Sequence, residues 1–149
     1  MATDINERIE QLLEKQYWVI DICPKQVPQG AGGQYFDIEQ YYLEQPQHAR
    51  LCRQFADVLL KLNCYHDLLV NCSSNDEWVK NPKPATLVEW LTACLKNGHL
   101  CALIDDGQAL ITASGGNTYI TLYNPSPDLL QLTSQLANAA GLFLWQPAQ

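Results

Sequence analysis

Cysteine, histidine and paired carboxylates are the side chains of this chain that could do chemistry. Six cysteines stand at Cys23, Cys52, Cys64, Cys72, Cys94 and Cys101, and the three histidines are His48, His66 and His99. A zinc site draws two ligands from one short element, as in Cys-x-x-Cys. No such pair is present. The nearest combination is Cys64 with His66 on one strand face, with Cys72 and Cys101 as distant completions. Reduced, buried thiols explain the cysteines better, so neither metal nor cofactor is expected.

A nucleophilic cysteine needs an imidazole or an electropositive setting. Cys52 has Arg50 and Arg53 beside it, but it also falls on the apolar face of a helix. There is no Gly-x-Ser-x-Gly elbow, and Ser114 sits at a hairpin tip. Asp105 and Asp106 are adjacent, so on an extended backbone they point to opposite faces and do not form an acid–base pair. Gly30-Ala31-Gly32-Gly33 follows a strand but has neither dinucleotide-fold nor P-loop spacing. No catalytic residue is assigned, and a non-enzyme is the expectation.

Charge narrows the partners. The net charge is −7 and the pI about 4.7. Only 9 residues are Lys or Arg, the last being Lys96, which argues against nucleic acid and anionic lipid. After it the only charged side chains are Asp105, Asp106 and Asp128. A basic protein is the partner such a surface would attract. Residues 1–15 have no apolar h-region, and no apolar run approaches the roughly 20 residues that span a bilayer. A cytoplasmic location is expected.

The elements that must position these groups follow from periodicity. With 47% apolar and 17% charged residues the composition is globular, and the length suits one α+β domain over residues 1–149. Asp4 reads as the N-cap of a helix over 5–15, with Ile5, Ile9, Leu12 and Leu13 inward. Residues 17–23 read as a strand, 24–34 as a loop, and 35–43 lean helical. Pro46 opens a helix with Cys52, Phe55, Leu59 and Leu62 on one face. A strand over 65–72, a polar loop over 73–84 and a helix over 85–97 follow, with Gly98 as a left-handed stop.

The last third predicts a three-stranded meander over about 100–123 in a mixed sheet covered by helices. Asp106-Gly107 and Gly115-Gly116 would be two-residue turns. Ala102, Ile111 and Ile120 would then align, as would Ile104, Ala109 and Leu122. The other face would carry Cys101, Thr112 and Tyr119 in one row and Leu103, Leu110 and Thr121 in the next, with Tyr123 beyond. Ser126 caps a final helix, Gly141 ends it, and 142–145 is a short strand.

Two functions fit these residues. The first is a non-catalytic, bacterial-type cytosolic binding protein, such as an immunity- or antitoxin-like inhibitor or an adaptor. It would bind a basic protein partner through Asp105, Asp106, Tyr119 and Tyr123, or through the loop of Asp76, Glu77 and Trp78. The alternative is a small-molecule-binding domain or enzyme. Its aromatic pocket would lie between the second face of the meander and loop 24–34, lined by Tyr17, Trp18, Tyr35 and Tyr119 with Asp21 as the polar contact. A deep cavity joining those residues favours the second function; a flat aromatic patch bordered by acids favours the first.

Overall fold

The structure is a computed structural model and describes residues 2–72 and 77–148. Helix α1 (Ala2–Leu13) leads into strand β1 (Tyr17–Asp21), a short 3-10 turn (Gln29–Ala31), α2 (Gly32–Leu43) and α3 (Gln47–Leu62). Then come β2 (Leu68–Cys72), β3 (Val79–Lys80) and α4 (Pro84–Asn97). The chain ends with β4 (His99–Ile104), β5 (Ala109–Ser114), β6 (Tyr119–Tyr123), α5 (Pro127–Ala139) and β7 (Phe143–Trp145).

The strands form one sheet in the order β3-β2-β4-β5-β6-β1-β7. The fold is α+β with helices packed on that sheet, and every pairing is antiparallel rather than mixed. One face meets α3, α4 and α5. Phe55, Leu59 and Leu62 from α3 and Leu87, Leu91 and Leu95 from α4 pack there on Ile20, Val70, Ala102, Ile111 and Leu122. Full burial of each large apolar side chain contributes about 1.5–3 kcal/mol. On the other face α1 lays Ile5, Ile9 and Leu12 over Leu69, Leu103 and Leu110.

Several boundaries differ from the sequence expectation for identifiable reasons. Asp4 is not the cap of α1, because the helix already starts at Ala2; Asp4 lies in its first turn, where its charge opposes the helix dipole favourably. Leu13 remains 46% exposed, so only three of the four expected apolar positions face the sheet. Pro46 precedes α3 rather than opening it. β2 begins at Leu68, since 63–66 are held in a turn by the Asn63 side chain donating to the His66 carbonyl at 3.1 Å. Gly98 is extended (φ −141°), not left-handed, so that the chain passes straight from α4 into β4.

The first meander register is the expected one, with Ala102 facing Ile111, Leu103 facing Leu110 and Ile104 facing Ala109, but the connection spans residues 105–108 rather than two residues, closed by the Gln108 amide donating to the Ile104 carbonyl at 3.0 Å. The second is shifted by two residues. Ile111 pairs with Leu122 rather than Ile120, Thr112 with Thr121 rather than Tyr119, and Leu110 with Tyr123 rather than Thr121. A shift of two keeps every side chain on its expected face. The connection spans residues 115–118, not two glycines, and of Gly115 and Gly116 only Gly116 has positive φ, at 83°.

Candidate functional site

The candidate site lies on the part of the second sheet face that α1 leaves uncovered. Helix α1 stops over β5, so β6, β1 and β7 present their outward side chains beyond it. Alternation along β1 turns Tyr17, Val19 and Asp21 to this side. β6 adds Tyr119, Thr121 and Tyr123, and β7 adds Trp145. Cross-strand pairing sets them in rows: Asp21 beside Tyr119, Trp145 beside Val19 beside Thr121, and Tyr17 beside Tyr123. The Tyr17 and Tyr123 rings stand 5.7 Å apart and tilted by 43°.

The segment after β1 supplies the opposite wall. Asp21 Oδ1 accepts the Ile22 amide at 2.7 Å, which ends the strand two residues before the expected Cys23 and turns the chain outward. Gln26, Val27, Pro28 and Gln29 then run over the sheet, and α2 brings Gly32 and Tyr35. Pro147 and Ala148 close the end beyond β7. Together they enclose a cleft of about 620 Å³.

Among the described residues Asp21 is its only carboxylate, and it is only 6% exposed. Burial pushes its pKa above the ordinary 3.8, against the lowering effect of the Ile22 amide, the Trp145 indole and the Cys23 amide; Glu39 adds to the rise. Trp145 Nε1 is itself buried and makes no hydrogen bond of good geometry. The other buried side-chain atom of this kind among the described residues is Thr118 Oγ1, which adjoins the phenol of Tyr35. Burial raises the Tyr35 phenol, and likewise that of Tyr123. Trp145 thus lines the cleft directly, and Thr118 adjoins it through Tyr35.

Of the residues expected to line a pocket, Tyr17, Asp21, Tyr35 and Tyr119 converge here. Trp18 does not. As the neighbour of Tyr17 on a strand it points through the sheet, toward Pro127, Leu130 and Leu144 on the α5 side. The residues expected to bind a partner are dispersed. Tyr119 and Tyr123 belong to the cleft. Asp105 is held by His66, Asp106 lies exposed in the turn, and Trp78 packs half-buried against the α1 cluster. Glu77 is exposed, and Asp76 lies outside the described residues. Sequence reasoning missed Thr121, Val27 and Trp145; the last could be found only by knowing that β7 pairs with β1.

A second, smaller cleft of about 340 Å³ holds Arg8, His66, Asp105, Gln108, Asn124 and Ser126. His66 Nδ1 and Asp105 Oδ2 are 2.5 Å apart. A His–Asp pair can orient an imidazole as a base, but Ser126 makes no hydrogen bond to it and instead caps α5, accepting the Leu129 amide at 3.1 Å. Cys52 and His48 touch at 3.8–3.9 Å in α3, yet both are buried and burial raises the thiol, which disfavours the thiolate. Cys64 is exposed in the turn after α3 rather than on a strand with His66, and no group of three potential metal ligands forms among the described residues. Among those residues no helix is long and apolar enough to cross a membrane.

Neither a protein-family model, nor a curated protein, nor a solved structure matches this chain.

Proposed function

We propose that this protein is a small-molecule-binding domain whose ligand lies in the cleft between β6, β1 and β7 and the segment 26–35. One observation carries this: aromatic side chains from three strands and a helix converge with a buried carboxylate on a single space of about 620 Å³. Ligand sites are concave, mostly apolar spaces of roughly 300–1,000 Å³ with a few placed polar groups. The long connection after β1 supports the assignment, because it forms a wall that the sheet does not need for its own pairing.

An acidic partner surface has less geometric support. Asp105 is occupied by His66 and by the Asp67 amide, and the tyrosines assigned to that surface face into the cleft. Binding is favoured over catalysis because the cysteine nearest an imidazole, Cys52, is buried with a raised pKa.

The test is a ligand-observed NMR screen of a mixed metabolite library against the wild type and Tyr119→Ala. Compounds that bind the wild type and lose about tenfold or more in affinity with Tyr119→Ala support the cleft, in keeping with an aromatic contact at a hot spot. A library that yields only compounds indifferent to Tyr119→Ala and to Tyr35→Ala overturns it.

A further inference from the structure

We propose that the cleft takes an organic cation, an amine or methylated ammonium, with its charge on Asp21 and its apolar groups against the tyrosines. This rests on the cleft being a ligand site and names the chemistry of what it holds.

The first support is the lone carboxylate. An ionised carboxylate offers about four acceptor positions. The Ile22 amide at 2.7 Å takes one of them on Oδ1. No Lys, Arg or His side chain of the described residues makes an ion pair with Asp21, although it is only 6% exposed. A buried charge without a counter-charge is costly and is normally paired. Here the space in front of it is a cleft, not packed core.

The second support is what surrounds the carboxylate. Among the described residues no Lys, Arg or His lines the cleft, so no cationic side chain there competes for the carboxylate. Glu39 on α2 makes the potential at Asp21 still more negative. Tyr17, Tyr35, Tyr119, Tyr123 and Trp145 offer ring faces and edges. Aromatic faces attract a cation through the ring quadrupole, more strongly when water is excluded, and groups of them recognise ammonium ligands. A carboxylate and several aromatic rings about one space suit a cation that is partly apolar.

Donors near Asp21 act against its burial without reversing it. The amides of Ile22 and Cys23 and the indole N–H of Trp145 all favour the ionised carboxyl against its burial. They offset only part of the burial cost of the ionised form, since the Asp21 pKa stays above 3.8.

The experiment compares three probes of one shape: 2-phenylethylamine, 2-phenylethanol and phenylacetate. Each is titrated into 15N-labelled protein at pH 7, with the Trp145 indole N–H and the Asp21 and Tyr119 amides as reporters. The amine should bind at least about tenfold more tightly than the alcohol, and phenylacetate should not bind. In Asp21→Asn, which keeps the oxygen for the Ile22 amide, the amine and the alcohol should bind about equally. Equal binding of both to the wild type, or tighter binding of phenylacetate, overturns the cation assignment while the cleft stands as a ligand site. If none of the three shifts the Trp145 indole, both the cation assignment and the cleft reading fail. The wild-type ratio decides the matter even if Asp21→Asn does not fold.

Discussion

His66 Nδ1 lies 2.5 Å from Asp105 Oδ2, and this contact ties the loop after α3 to the turn between β4 and β5. The neighbourhood reinforces it. Asp105 Oδ1 accepts the Asp67 amide at 3.2 Å, and the Asp105 amide donates to the Asp67 carbonyl at 3.0 Å. The pair is partly exposed, with side chains 23% and 36% accessible, so water and salt weaken it. A double-mutant cycle with His66→Phe and Asp105→Asn should give a coupling of about 0.5–1 kcal/mol in urea unfolding. A coupling indistinguishable from zero would show that backbone bonds alone hold the turn.

The turn itself makes the second prediction. Asp105, Asp106 and Gly107 all have positive φ, at 49°, 58° and 90°. Asp tolerates the first two because its short polar side chain suits the left-handed region; a β-branched residue does not. At Gly107 an added Cβ would also come within 3.1 Å of Arg8 Cγ. The same Arg8 donates through Nε to the Gly107 carbonyl at 2.6 Å, so it is not free to withdraw. Gly107→Val should cost about 1–2 kcal/mol or more. A urea midpoint equal to that of wild type would mean the turn has another conformation.

The two hairpins show how far turn chemistry can be read from sequence. Asp-Gly gave the β4–β5 register because the local signal and the apolar alternation agreed. Gly-Gly misled at β5–β6 because Gly115 serves packing instead of turning. A Cβ there would meet the backbone of Asn97 and Lys96 at 3.0 Å, and its amide donates to the Gly98 carbonyl at 2.8 Å. That close approach to the end of α4 is tertiary, so no local pattern reveals it. The candidate site divides in the same way. Tyr17, Asp21, Tyr35 and Tyr119 were legible from β1 alternation, the meander face and the loop after β1. Trp145 was not, since its place depends on β7 pairing with β1 from the far end of the chain. Trp18 was misplaced by ignoring the alternation that was correctly applied to the meander.

Thiol reactivity gives the third prediction. Cys64 is exposed, whereas Cys94 is 1% exposed with its pKa pushed up to about 12, by burial first and then by the neighbouring Cys72, Cys52 and Cys101. The thiolate is the reactive form, so a raised pKa and burial act in the same direction. With an aromatic disulfide reagent at pH 7.5, Cys64 should react first and Cys94 at least about a hundredfold more slowly, limited by opening of the core. All six thiols should titrate once the chain is unfolded. Peptide mapping that finds Cys94 labelled as fast as Cys64 would contradict the burial described above.

The last prediction separates a carboxyl kept for ligand binding from one kept for folding. Burial raises the Asp21 pKa in the folded protein above 3.8, so the folded state holds that proton more tightly than the unfolded chain does. Its favourable contribution is therefore complete below 3.8 and is lost as the pH rises through the raised folded value. Above that raised value the ionised side chain is a cost to the unliganded protein. Glu39 works in the same direction, while the Ile22, Trp145 and Cys23 donors only reduce the cost. Asp21→Asn retains an oxygen for the Ile22 amide and removes the buried charge. It should stabilise the unliganded protein by about 1 kcal/mol at pH 7, as replacements at strained binding sites commonly do. The gain should shrink toward zero as the pH falls through the raised value, because the wild-type carboxyl then becomes neutral too. Urea midpoints of both proteins across pH 3.5 to 8 measure this. A variant less stable than wild type at pH 7 would show that the three donors outweigh burial, and Asp21 would then be a strand-ending residue rather than a carboxylate held open for a cation.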